Sequence, residues 1–361
     1  MKNFTLIFCC VLLSAKLLQG QIEKGTISFG GNIGASYTWA ESDQFQGYAI
    51  DFNPAIAFMI NDHWLVGGAV GTFTNDNISV SDNSFIQPEV RYYFNPAAEK
   101  NKFYAGFVPS FNLNELDNSA YNLTFGFNRF LNQNVALDAN ATYTAIGNNN
   151  QDVINVNLGL RSFMSKADRD NWKTGVSNFG KGDLLINTGI ATASITGIGS
   201  GFTEFLQLSL NPSGGIFLSE QWLLGAQLSA NLASDLGSNL SLQTSSLSLA
   251  PFARYYLGNE QKHWRWFGQA GVSFTSARVR FDGNFNSDLS AFFLNSRWGA
   301  NWFLNSNLAF DMGIDLNYNF GTNSEVMFTN GAGDDFDELL ADNGLSLGFS
   351  IGVQYFLNRN N

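Results

Sequence analysis

The sequence writes one design twice. Asn53-Pro54 followed by Trp64-Leu65-Val66-Gly67 returns as Asn211-Pro212 followed by Trp222-Leu223-Leu224-Gly225, with position 53 moved to 211. Pro88-Glu89-Val90-Arg91-Tyr92-Tyr93-Phe94 returns as Pro251-Phe252-Ala253-Arg254-Tyr255-Tyr256-Leu257. Phe130-Leu131-Asn132, with Asn134, Ala136 and Asp138, returns as Phe303-Leu304-Asn305 with Asn307, Ala309 and Asp311. The order is kept while the offset grows, so the length differences collect between matched segments. A duplicated unit with variable loops has this form, and it restricts the fold to two copies of one element set.

Within each copy the periodicity is two. From Thr26 to Thr38, Ile27, Phe29, Gly31, Ile33, Ala35 and Tyr37 alternate with small polar residues; Tyr121 to Asn128 and Val135 to Thr144 alternate in the same way. Helical spacing fits none of these runs. The pattern predicts eight strands per copy, from 25–38 to 152–164 in the first and from 182–194 to 344–357 in the second, with 264–277, 290–303 and 307–320 among the latter. Such lengths suit tilted membrane strands, which need about 9–11 residues to cross. Tight connections such as Asn61-Asp62-His63 and Asn132-Gln133 alternate with longer ones such as 321–343, as in transmembrane barrels.

The charges inside strands sharpen this reading. They are Asp51, Glu89, Arg91, Asp138, Arg161, Arg254, Arg297, Asp311 and Asp315, and alternation puts every one on the polar face. A charge on the lipid face costs ~2–4 kcal/mol near the bilayer midplane. Arg129 falls on the other face, but at a strand end beside a tight turn. A soluble sandwich would also turn charges from its core, yet would carry many Lys and Glu on its wet faces; here Asn, Thr, Ser and Gly dominate. Charged residues are only 14% of the chain, with 34 Phe and 36 Gly, against roughly 25% charged in an ordinary soluble domain.

Residues 1–20 read as a cleaved secretory signal: Lys2, then a largely apolar run from Phe4 to Leu18. Cys9 and Cys10 lie within it, so the mature chain has no disulfide. Loss of Lys2 and Lys16 leaves 17 of the 19 basic residues against 30 acidic ones, a net charge of −13. That balance excludes a nucleic-acid partner, which requires a basic face. No other apolar run approaches the ~18 residues of a membrane helix.

The last strand reads Gly352-Val353-Gln354-Tyr355-Phe356-Leu357. Gly352, Val353, Tyr355 and Leu357 resemble the closing-strand signal by which outer-membrane barrels are recognised for assembly. With Arg91-Tyr92-Tyr93-Phe94 near the end of the fourth strand, each copy resembles the small eight-stranded barrel family of outer membrane protein A and X type, over about 21–164 and 181–357. The resemblance implies an all-β, transmembrane, antiparallel up-and-down β-barrel of 16 strands in a Gram-negative-type outer membrane. Its implied partners are outer-membrane lipids, including lipopolysaccharide, and the assembly machinery. The expected organisation is a signal at 1–20, a first barrel at 21–164, a linker at 165–181 and a second barrel at 182–361. No peptidoglycan-binding domain is expected to follow.

Two copies of eight strands permit two barrels or one of sixteen. Each copy holds polar-face acids and bases enough to pair across its own lumen, and the linker is long for a turn between neighbouring strands. These features favour two barrels, with a single sixteen-stranded barrel as the alternative. Against them, the closing pattern is weaker in the first copy, where Leu160-Arg161-Ser162-Phe163-Met164 puts Ser162 in the place of Tyr355. A strand that no longer ends a barrel has no need of that aromatic.

No catalytic, cofactor-binding or metal-binding residue is expected. His63 and His263 sit in predicted turns and do not align between copies. Asp138 and Asp311 recur, and read as neutralising partners of Arg91 and Arg254. The run Asp334-Asp335-Phe336-Asp337-Glu338 lacks calcium-loop spacing. Trp39, Trp64, Trp222, Trp264 and Trp266 lie near strand ends and read as an interfacial girdle. The expected function is a non-enzymatic outer-membrane protein with a structural or surface-interaction role. The alternative is a porin-like channel for small solutes, if the copies form one barrel; a lipid hydrolase or protease ranks last.

Overall fold

The computed structural model describes residues 22–40, 47–75, 83–94, 100–113, 119–146, 152–166, 168, 179–187, 191–198, 205–235, 242–258, 263–281, 285–328 and 344–357. The expected signal segment, most of the expected linker and the acidic run 334–338 lie outside them. The first copy forms β1 (Ile27–Ala40), β2 (Gly47–Met59), β3 (Trp64–Asn75), β4 (Asn83–Tyr93), β5 (Asn101–Asn112), β6 (Ala120–Phe130), β7 (Val135–Ile146) and β8 (Asp152–Met164). The second forms β9 (Leu184–Asn187), β10 (Ala191–Ile198), β11 (Phe205–Leu210), β12 (Ser213–Phe217), β13 (Trp222–Asp235), β14 (Leu242–Tyr256), β15 (Trp264–Phe281), β16 (Phe285–Asn305), β17 (Leu308–Phe328) and β18 (Gly344–Leu357). Its first two strand positions are each in two pieces; β11 and β12 part at Asn211-Pro212, where Pro lacks a backbone N–H. Eight positions per copy therefore stand, all antiparallel.

How the wall closes depends on height. At the end of the tight turns, β1 pairs β8 from Ile27↔Met164 to Phe29↔Ser162, closing the first eight strands. There β9 pairs β18 from Leu184↔Leu357 to Asn187↔Gln354, closing the second eight. Toward the loop end, β1 leaves β8 and pairs β18 from Ile33↔Ile351 to Ala40↔Gly344. In the same zone β8 pairs β10 from Leu158↔Ala191 to Asp152↔Ile198. Two eight-stranded legs thus fuse into one sixteen-position rim. The strand 152–164 pairs with β1, as two barrels require, and with β10, as a single barrel requires, each over a different stretch of its length.

Alternation decides what faces where. Phe58, Val66, Phe107, Phe125, Leu249, Phe274, Trp298 and Phe349 are among the exposed apolar side chains of the outer face. Three buried clusters fill the turn end. One fills the first leg with Met59, Leu65, Tyr93, Tyr104, Phe130 and Phe163. Another fills the second leg with Leu185, Phe217, Leu223, Tyr256, Phe267, Phe303 and Phe356. The third lies between the legs and joins Val135, Met164 and Leu160 of the first to Leu304, Leu308, Val353 and Tyr355 of the second. An eight-stranded ring is just wide enough for side chains to fill, so both legs are packed at the turn end.

β15, β16 and β17 are longer than expected, at 18, 21 and 21 residues. At about 3.3 Å per residue and a tilt of about 40° they outreach an apolar belt about 25 Å tall. Arg278 and Asp288 form an exposed ion pair on this projecting part. Both charges lie just beyond the strand limits that alternation predicts, 264–277 and 290–303.

Candidate functional site

The site built by both copies is the filled lumen of each leg. In the first leg, Arg91 on β4 bonds Glu89, and its Nη1 lies 3.2 Å from Asp138 Oδ2 on β7. Arg161 on β8 grips Glu89 at 2.9 Å and donates from Nε to Ser28 Oγ at 2.8 Å. The Tyr104 hydroxyl donates to Asp138 at 2.7 Å, and Arg91 lies over the Tyr104 ring at 4.4 Å. Two positive and two negative side chains thereby close on one another. Asp51 lies on β2, but its side chain is outside those described.

In the second leg, Arg254 repeats the pair of Arg91, with Nη1 3.3 Å from Asp311 Oδ2. Tyr256 donates to Asn301 at 2.9 Å, as Tyr93 does to Asn128 at 2.9 Å. The remaining charges have moved. Glu89 and Arg161 are replaced by Phe252 and Gln354, and the Thr124–Thr142 pair, 3.0 Å apart, becomes Arg297 with Asp315 at 2.5 Å. Arg297 also bonds Asp311, while Gln354 Oε1 accepts from Arg254 at 3.0 Å. Gly313 leaves the space for this: a Cβ there would stand 2.7 Å from Arg297 Nε. Both networks are again neutral. An unpaired charge in such a core would cost several kcal/mol, which is reason for acids and bases to change together.

Below each network lies a repeated turn. Gly25 and Gly182 have φ of 88° and 94°, which only glycine adopts readily. Gly25 N donates to Met59 O and Gly182 N to Phe217 O, both at 2.8 Å. The turns tuck Ile22 and Phe179 into the base of each leg. Phe179 stacks on Phe217 at 4.1 Å between ring centres and lies near Phe356 at 5.5 Å. The Arg265 guanidinium covers it at 4.4 Å and donates to the carbonyls of Glu220 and Gly258. Lys102, the counterpart of Arg265, is likewise buried. Sequence reading missed these residues, although Lys24-Gly25 and Lys181-Gly182 are visible repeats; the latter fell at the boundary of the expected linker.

Of the expected girdle, Trp64, Trp222, Trp264 and Trp266 stand at the turn ends of β3, β13 and β15, each more than 40% exposed. Trp64 packs on Tyr92 and Trp222 on Tyr255, both at 4.9 Å. The Trp39 side chain is outside those described. His63 bonds the Tyr93 carbonyl at 2.9 Å in a turn.

The closing strand holds a surprise. Val353 and Tyr355 do not face lipid: they are buried between the legs, Tyr355 completely. Gly352 and Leu357 are partly buried. Leu131, Val135 and Leu160 meet their own counterparts Leu304, Leu308 and Val353 in this cluster, so the contact is roughly two-fold. The Tyr355 hydroxyl lies beside Ser162 without a partner at normal hydrogen-bond geometry. Ser162 is itself buried; its Oγ donates to Phe29 O at 2.6 Å and accepts from Phe29 N at 3.2 Å. β8 still closes its leg, so loss of closure does not explain Ser162. Tyr355 takes the fully buried place between the legs, while Phe29 and Phe310 pack edge to face at 6.2 Å against the same cluster.

Fold and lumen together define a transmembrane-type antiparallel β-barrel with two plugged legs and a common rim. No protein-family model and no curated protein matches the sequence. Among solved structures, a bacterial polysaccharide outer membrane secretin is similar over 93% of this chain and 99% of its own, at 10% identity and a TM-score of 0.47. The outer membrane protein OprG from Pseudomonas aeruginosa covers 50% of this chain and 98% of its own, at 15% identity and a TM-score of 0.33. Pseudomonas aeruginosa OccK10 covers 93% and 99%, at 10% and 0.34. The barrel assignment rests on the strand pairing itself.

Proposed function

We propose that this protein is a non-enzymatic outer-membrane barrel whose legs seal the membrane and whose shared rim faces the outside as a cup. The observation that carries the reading is the filling of each leg by a neutral charge network above an apolar plug. A general pore needs a continuous water path, and an eight-stranded lumen filled in this way offers none. The expected signal at 1–20 supports export. The rim, walled by Asn, Ser and Thr, suits a structural or surface-interaction role better than catalysis. Asp138 and Asp311 are engaged by arginines, which argues against a hydrolytic site there.

Planar-bilayer recording tests the proposal. Purified protein should insert without large, stable open steps. Long-lived conductances of the size of general porins would overturn the plugged reading and restore the channel alternative.

A further inference from the structure

The two legs, copies of one unit, fill the same level differently. In the second leg, Leu185 on β9 belongs to the buried apolar cluster and Phe252 on β14 packs against it. Their counterparts in the first leg are Ser28 and Glu89. The register supports the match: Ser28 pairs with Ala57 and Phe163, and Leu185 with Gly215 and Phe356. Ser28 is small and Glu89 is drawn aside to Arg91 and Arg161. The result is a partly open cavity of about 280 Å³. At about 30 Å³ per water in the liquid, it has room for several waters.

Its walls are of two kinds. One carries Glu89, Arg91, Asp138 and Arg161; the other carries Gly30, Ala55 and Ala57. We infer that this cavity is a binding site for a small zwitterion bearing one ammonium and one carboxylate on a short apolar frame. The charged wall is neutral but ordered, two cations beside two anions. An ion of one sign that approaches its opposite also approaches that group's partner, and the two effects largely cancel. A zwitterion aligned against the pairs gains at both ends: its carboxylate meets a guanidinium and its ammonium a carboxylate. Charge-assisted hydrogen bonds of this kind are worth more than neutral ones. The apolar wall admits a short carbon frame and excludes a long one. The inference goes beyond the sealed-barrel reading, since the cavity lies within one leg whether or not that leg conducts.

Glycine is the probe, with acetate and methylammonium as its two halves. Equilibrium binding to the full protein in detergent should be saturable for glycine and at least about tenfold weaker for either half, since a lost charge-assisted bond costs ~1.5–3 kcal/mol. Ser28→Leu, which installs the residue of the second leg, should reduce glycine binding by about tenfold or more. Should Ser28→Leu fail to fold, the pair Glu89→Phe with Arg161→Gln makes the same transplant. Three results would overturn the inference: no saturable glycine binding by the native protein, equal affinity for either half, or undiminished binding by a folded transplant.

Discussion

The contact between the legs can be tested by exchanging Ser162 and Tyr355. Tyr355 is fully buried among Val135, Met164, Leu304 and Leu308. Removing a buried aromatic costs about 3–5 kcal/mol, so Tyr355→Ser should lose about that much. Ser162→Tyr loses two hydrogen bonds to Phe29, about 1 kcal/mol each. It also forces a second ring into a filled space, at about 1–3 kcal/mol. The expected loss is about 3–5 kcal/mol. The exchanged double variant again has one ring and one hydroxyl at the two-fold. It should therefore be less damaged than the sum of the singles, by about 2–3 kcal/mol, within the range seen for residues in contact. Urea unfolding of detergent-folded protein, followed by Trp fluorescence and by the band shift of unheated samples on gels, measures all four forms. Additive losses, within about 0.5 kcal/mol, would refute a shared site between the legs.

Other consequences follow from the same geometry. Cysteine pairs at Phe29/Ser162 and at Ala35/Phe349, both register partners, should each cross-link within one molecule. Two independent barrels would form only the first and a plain sixteen-stranded barrel only the second. Arg254→Ala removes one of the two arginines bonded to Asp311, together with the donor to Gln354 and Tyr256, and leaves the network with a net negative charge; it should cost about 3–5 kcal/mol in the same unfolding assay, and a loss under about 1 kcal/mol would remove the network from the stability argument. Phe179→Ala empties the base of the second leg and should cost about 3–5 kcal/mol, against about 2–5 for Ile22→Ala in the first. Folded Phe179→Ala protein that matches the native urea midpoint would show that the plug is dispensable.

The amino-acid sequence determined the strand content, the number of strand positions per copy and the face on which the described lumen charges, such as Arg91, Asp138, Arg254 and Asp311, sit. These are local properties: a period of two fixes the face of Arg91 or Asp311 whatever the strand pairs with. The duplication also marked Arg91 with Asp138, and Arg254 with Asp311, as recurrent sets. It gave less warning of Arg297 and Asp315, because in the first copy their places hold Thr124 and Thr142. Lys102, Arg265 and the turns under the legs were passed over, since their role depends on a lumen that no short segment contains.

What only the tertiary structure decided is how the walls close. Backbone hydrogen bonding is indifferent to the partner strand's identity, so β1 and β8 carry no local mark of where each changes neighbour. The change is set by packing. At the turn end, large side chains fill two narrow rings and a third cluster holds the rings together. Toward the loop end, small polar residues leave the lumens unfilled, and the strands open into one wall. Ser162 and Tyr355 show the limit most plainly: in the sequence they differ as if one strand had ceased to close, and in the fold they differ because they meet.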